Sequence, residues 1–512
     1  MLQHFILACS VVFGASQPDS PQTSDQLTPF YRIQVLDRAT GRGVPMVELR
    51  TTWGERYYTD NAGIVAYYEP GMMGQETWFH VAGHGYEHPA DGFGYRGVRL
   101  TPTQGGRATI RVDRVNIAER LYRITGVGVY RDTRLLGEGT PLVEPDIRGL
   151  VTGQDSAHAH VHNGQIYWFW GDTNKPSYPL GNFKTAGATS QLPSAGGLAP
   201  SVGVDLDYYV DGSGFARQMA PVAGTGVVWI EGVQSAPDPS GTPRMFAHFE
   251  RRQGLGQLYE QGVLIWNENT ETFEVGVSLP LDEPLHPLGW QPFVHATGGL
   301  AHLYFSKPYP HLRVRHELAA VLDPAQYEGF TPLVPGARFD GANTQLERDG
   351  QGKLVWAWKA DTPPLTPGQQ RELINAGLFE RSDSPFRLFD VDTGKQVKEH
   401  FGSVAWNDHI QKFVMIFGQS GGSSSYLGEI FMASADAPEG PWVHARKIVT
   451  HDNYAFYNVA QRDFFDEDGG RLIYFEGTYT NTFSGTEVET PFFNYNQIMY
   501  RVDLADPRLL AR

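Results

Sequence analysis

The sequence predicts an all-β chain, and three observations carry that expectation. Gly (58) and Pro (34) are used heavily among 512 residues, aromatics reach 12%, and long Ala/Leu/Glu/Lys-rich runs are missing. Short alternating runs bounded by turn clusters recur along the chain. From about residue 120 onward, a unit of strand, tight turn and aromatic strand returns several times. With 41% hydrophobic residues the chain can bury a real core. Its 41 basic and 57 acidic side chains give a net charge of −16, which argues against a general nucleic-acid binder. A single cysteine excludes a disulfide scaffold and a Cys-rich zinc site.

Residues 2–15 are an apolar stretch too short to span a bilayer, followed by a polar tract over 16–26. The pattern predicts a signal peptide over 1–17 and a linker over 18–29, although the usual basic start is absent. Ile6-Leu7-Ala8-Cys9 loosely imitates a lipobox, behind an apolar run shorter than a lipoprotein signal needs. Removal of the leader would take Cys9 with it and leave no thiol for catalysis. No later segment approaches the roughly 20 apolar residues of a membrane helix. The expectation is a secreted or periplasmic protein without membrane insertion.

Residues 30–115 read as a small β-sandwich. Runs such as Tyr31-Arg32-Ile33-Gln34-Val35 and Val47-Glu48-Leu49-Arg50 alternate and are parted by Thr40-Gly41-Arg42-Gly43 and Asp60-Asn61-Ala62-Gly63. The order VLDRATGRGVP, TDNAG, VAGHGYE resembles the carboxypeptidase regulatory-like, or transthyretin-like, module of exported bacterial proteins. That resemblance implies a structural accessory. His80, His84 and His88 are spaced by four in a Gly-rich loop, where polar loop residues are expected rather than metal ligands.

Over 120–512 the repeat predicts a β-propeller catalytic domain. Six aromatic strands are read at 165–172, 244–251, 300–307, 353–361, 412–419 and 471–477, spaced by roughly 50 to 75 residues. Units of this kind bury two faces against their neighbours and so close into a ring, here of about six blades with five or seven also open. Residues 122–136 are expected to supply a strand that closes the ring on the last blade. One helix is expected within 366–379, with Thr366 as N-cap and Gly377 past its end.

The first hairpin permits a sharper step. If Asn163-Gly164 is a two-residue type I′ turn, His162 pairs with Gln165 and Asp155 falls opposite Asp172. Ala157/Trp170, Ala159/Trp168 and Val161/Ile166 would then share the face of the two aspartates, small residue against large. Like charges directly opposite, with Cβ atoms about 5 Å apart, destabilise a sheet unless something uses them. Paired carboxylates at about 5 to 9 Å are what glycoside hydrolysis needs, one as acid and one as base or nucleophile. In a purely structural reading, Asp172 caps the turn before Thr173-Asn174, while Asp155 pairs a cation or binds calcium.

An aromatic strand ending Trp170-Gly171-Asp172-Thr173, the preceding Asp155, EIFMASADAPEGPW over 429–442 and YFEGTYTNTF over 474–483 together resemble β-propeller glycoside hydrolases. The flavour is arabinanase-like, family 43 and the endo-D-arabinanase group whose strand also ends Gly-Asp-Thr. The resemblance implies hydrolysis of a furanoside or pyranoside link by carboxylates at inner-strand ends. It carries over to Asp155 and Asp172, with a third acid sought among Glu231, Glu250 and Glu476. Family 43 enzymes usually have five blades, where six aromatic strands are read here.

Glu476 ends an aromatic strand as Asp172 does, and is taken as the third catalytic acid, with a cap of the Gly477-Thr478 turn as the plainer role. Substrate-binding positions are expected at Glu231, His295, Lys307, Lys359, Arg462 and Tyr479. Lys307, Arg313, Arg315, Lys359 and Arg462 would grip an anionic sugar if they converge. Trp168, Trp170, Trp356 and Trp358 fit the core between blades better than sugar stacking. His158, His160 and His162 share a strand face without a carboxylate, so no metal site is expected. The partner is then a polysaccharide or oligosaccharide. No cofactor is required, and a structural calcium in the ring stays open. Two other functions also stay open. One is a polysaccharide lyase using Tyr304, Tyr479 or His295 as base on a uronate glycan, and the other is a non-catalytic carbohydrate-binding propeller.

Overall fold

A computed structural model describes residues 28–286 and 291–510. The expected signal peptide, Cys9 and nearly all of the expected linker lie outside the described residues. Strands dominate, as alternation and turn chemistry dictate. Near the N-terminus, Tyr31–Asp37 alternates buried and half-buried side chains along its length. This strand belongs to one four-stranded sheet and Glu48–Thr51 to another, and the two sheets share a core that includes Ile33, Val35, Leu49, Phe79 and Val112. Burying each such side chain is worth about 1.5–3 kcal/mol.

Five further sheets of four or five strands follow, beside a three-stranded one of Gly153–Gln154, Thr173–Lys175 and Tyr178–Asn182. The first contains His158–His162 and Gln165–Trp170, the second begins with Val227–Pro237, the third with Gln291–Thr297, the fourth contains Glu399–Asn407, and the fifth Ala455–Gln461. Each packs on the next through its own apolar layer. Phe169 meets Ile230 between the first and second sheets, and Phe246 joins Phe305 in the layer between the second and third. Phe293 with Phe413 and Ile416 with Phe475 belong to the next two layers. Trp168 and Trp170 of the first sheet share a layer with Tyr474 and Met499 of the fifth, which returns the series to its start.

The fourth aromatic strand of the sequence does not found a sheet of its own. Ala357–Ala360 is the fifth, edge strand of the third sheet, paired with Glu328–Thr331. Its tryptophans explain the mistaken reading. Trp356 and Trp358 pack with Phe330 and Phe386 between the third and fourth sheets, so an edge strand carries the aromatic load of an interior one. The strand expected within 122–136 is Glu119–Arg123, which begins earlier and is hydrogen-bonded to Asn496–Asp503 in the fifth sheet. Beyond it, Gly126 and Gly128 turn the chain with positive φ and Arg131–Leu135 is a short helix. The helix Pro367–Asn375 has the capping box of Thr366 and Gln369, and Gly377 follows at φ +71°. No helix among the described residues is long and apolar enough to cross a membrane.

Candidate active site

The site grows from the first hairpin. Asn163 and Gly164 take φ of 50° and 79°, a primed turn, and the register runs from His162↔Gln165 to His158↔Phe169. It resumes at Gln154↔Thr173 and Gly153↔Asn174, so Asp155 does lie across from Asp172. Between the two halves the strand is broken. Ser156 sits at φ +61°, held by Thr478 Oγ1 on its amide (3.1 Å) and by Asn458 Nδ2 on its hydroxyl (2.8 Å). The small-against-large layer of Ala157, Ile166, Trp168 and Trp170 is buried beside the break.

At the break the two backbones lock together. Gly171 N–H donates to Asp155 O at 2.9 Å, Asp155 N–H to Asp172 O at 3.3 Å, and Asp172 N–H to the Asp155 carboxylate at 2.9 Å. Gly171 is needed for closeness. A Cβ there would stand 2.7 Å from Asp155 Oδ1. Tyr457 Oη, from the fifth sheet, donates to the other Asp155 oxygen at 2.8 Å. Asp172 leans the opposite way, accepting from Trp229 Nε1 of the second sheet at 3.1 Å.

Both aspartates line a cavity of about 560 Å³ walled by all five sheets. Glu231 and Glu250 face it from the second sheet, with Lys307 Nζ 3.4 Å from both Glu231 oxygens and Arg252 paired to Glu250. Lys307 also lies 4.4 Å over the Phe401 ring. Burial pushes the Asp155 carboxyl up to about 6, with the Asp172 charge adding to it and the Tyr457 hydroxyl pulling against it. Burial likewise raises Asp172, opposed by the Trp229 N–H. It raises Glu231 too, opposed by Lys307 and reinforced by Glu250. The His400 imidazole is lowered to about 4 by burial and by Lys307. An open hollow with several acids of raised affinity for protons, aromatic walls and two cations can bind a polyol and move protons on it.

No family model matches the chain, and no curated protein matches it. Among solved structures the chain is similar to a family 43 β-1,3-galactosidase with galactodeoxynojirimycin, at 9% identity over 71% of this chain and 93% of that one, TM-score 0.35. It is also similar to the GH43_1 enzyme from Xanthomonas citri with xylotriose (13% identity, 68% and 86% coverage, TM-score 0.33). A third is an exo-1,5-α-L-arabinanase from a bovine ruminal metagenomic library (9%, 69% and 93%, 0.35). At these scores the likeness settles neither the fold nor the chemistry of this chain.

Of the positions singled out in the sequence, Asp155, Asp172, Glu231, Glu250 and Lys307 meet in the cavity, which His158 and Trp170 also line. The remaining site positions lie elsewhere. Glu476 is fully buried against Arg462 Nη2 at 2.6 Å, and burial raises its carboxyl to about 7. Arg462 also donates to Ala157 O (2.8 Å) and Gln291 Oε1 (3.2 Å), so it ties the first, third and fifth sheets together. His295 packs edge-on to Phe413 at 4.9 Å, and Tyr304 stacks on Phe293 at 5.3 Å between the third and fourth sheets. Lys359 is buried on the edge strand against Glu347 at 2.6 Å. Tyr479 bonds His84 Nε2 at 2.9 Å under the N-terminal sheets. Arg313 and Arg315 pair with Glu328 and Glu317, so the five cations do not converge.

His160 and His162 both hold Ser235 Oγ, at 3.0 and 2.8 Å, while His158 lines the cavity. Among the described residues no group of three His, Cys, Asp or Glu side chains is placed to hold a metal. Trp229, Arg252, Tyr457 and Asn458 were not anticipated. The alternation Trp229-Ile230-Glu231, with Ile230 in the core and its neighbours facing out, is the signal that would have found the first.

Proposed function

We propose that the chain is a secreted glycoside hydrolase that cleaves a polysaccharide or oligosaccharide in the Asp155–Asp172 cavity. In this reading the five sheets are propeller blades and the two N-terminal sheets are the regulatory-like sandwich. One observation carries it. Two aspartates from opposing strand ends, each with a raised proton affinity, share one sugar-sized hollow with two further acids.

Their surroundings suggest different duties. Asp155 receives an O–H and an N–H donor, an arrangement suited to an anion, and it serves as the base or nucleophile. Asp172 accepts the neutral indole N–H of Trp229, and it carries the proton to the leaving oxygen. The glycosidic C–O bond breaks, the departing oxygen takes that proton, and the elements of water are added in its place. The Glu231–Lys307 and Glu250–Arg252 pairs hold sugar hydroxyls. This chemistry needs no cofactor. The test is to incubate the protein with a panel of neutral and acidic polysaccharides while following reducing ends and ultraviolet absorbance together. New reducing ends without an unsaturated chromophore support hydrolysis; a chromophore would replace it with a lyase, and binding with neither would leave a carbohydrate-binding module.

A further inference from the structure

A second cavity, of about 380 Å³, opens where the N-terminal sheets meet the fifth central sheet. Its aromatic wall is Tyr58, Tyr86, Tyr454 and Tyr479, the last two stacked with centroids 4.2 Å apart. Paired charges form the rest. Glu48 accepts from Tyr58 Oη at 2.8 Å and lies 3.8 Å from Arg56, while Arg96 faces Glu87 at 3.3 Å. Tyr86 Oη is buried without a hydrogen-bond partner. Flat aromatic faces beside planar guanidinium and carboxylate groups match a sugar, whose apolar face packs on rings and whose hydroxyls both donate and accept. A simple anion would meet Glu48 and Glu87 along with the arginines.

One loop walls this cavity and the catalytic one alike, and a second lines the catalytic one and touches a residue of the other. In residues 481–495, Phe483 lines the catalytic cavity and Thr486, Val488 and Thr490 line the second. In residues 420–428, Tyr426 lines the first, while Ser424 O accepts from the amide of Asn453, which lines the second, at 3.2 Å. On the fifth sheet Tyr457 faces one cavity and Tyr454 the other, three residues apart or about 10 Å of extended chain. Phe483, 55% exposed, stands at the catalytic mouth on the loop that joins them.

We infer that a glycan chain seated at Asp155 and Asp172 continues past Phe483 into the second cavity, so that the N-terminal sheets supply a distal subsite for a polymeric substrate. The inference rests on the hydrolase reading. Its test uses the full chain with Asp155→Asn, titrated calorimetrically with disaccharides and octasaccharides of arabinose, xylose and galactose. For at least one sugar the octasaccharide binds about tenfold tighter than the disaccharide or better, as a second linked site allows. The gain vanishes when Arg56→Ala and Arg96→Ala are added, both side chains being 46% exposed and clear of the core, while the disaccharide affinity stays and reports a folded protein. Equal affinity for both lengths, or a gain that survives the added substitutions, overturns the subsite alone. Failure of every saccharide to bind removes the hydrolase reading, and the subsite with it.

Discussion

Asp155 and Glu476 make an instructive pair. Both belong to the packing of the first sheet against the fifth, and burial raises the proton affinity of both, to about 6 and about 7. Yet Asp155 opens on a cavity and takes neutral or backbone donors, while Glu476 is sealed with Arg462. A raised carboxyl therefore marks burial first, and access decides whether chemistry can follow. On this account one acid belongs to turnover and the other to the packing of the first sheet against the fifth.

The comparison can be broken in several ways. The largest effect is expected for Asp172→Asn, which should lower turnover by about 10²–10⁴-fold with the unfolding midpoint unchanged, since general acid catalysis is typically worth that much. Kinetics and denaturant melts on the same preparation check both halves. Next comes Arg462→Ala, which strips donors from Ala157 O, Gln291 Oε1 and Glu476. Breaking a buried pair in this way should cost about 3–5 kcal/mol in denaturant unfolding.

A smaller loss of rate should follow Gly171→Ala. The new methyl would meet Asp155 Oδ1 at 2.7 Å and move the carboxylate, so kcat should fall more than KM rises. The mildest change concerns pH. The pH–rate profile should carry a limb near pH 6, where Asp155 exchanges its proton. In Tyr457→Phe a hydrogen bond to the charged form is gone, so that limb should move to higher pH. A limb that stays in place would detach Asp155 from that limb.

Much of the first hairpin was legible because its information is local. Asn163-Gly164 sets the turn, the turn sets the register, and the register puts Asp155 across from Asp172. The break at Ser156 was not legible, since it is held from the fifth sheet by Thr478 and Asn458, more than three hundred positions away. Lys307 and Glu231 were both expected at the substrate and do meet, whereas Lys359 was expected there too and lies on an outer edge. Aromatic strands announce packing layers without saying which sheet they serve, which is why 353–361 suggested a unit of its own and is an edge strand of the third sheet. Tyr457 and Trp229 reach the aspartates from the fifth and second sheets, and no local pattern carries that.

The most direct measurement compares Asp155→Asn with Glu476→Gln in parallel, following the release of reducing ends from the polysaccharide that the unaltered protein cuts best. The account predicts that Asp155→Asn loses turnover by at least about a hundredfold while remaining folded, and that Glu476→Gln, resembling the protonated acid, keeps it. Full turnover in Asp155→Asn, or its loss in a folded Glu476→Gln chain, would contradict it.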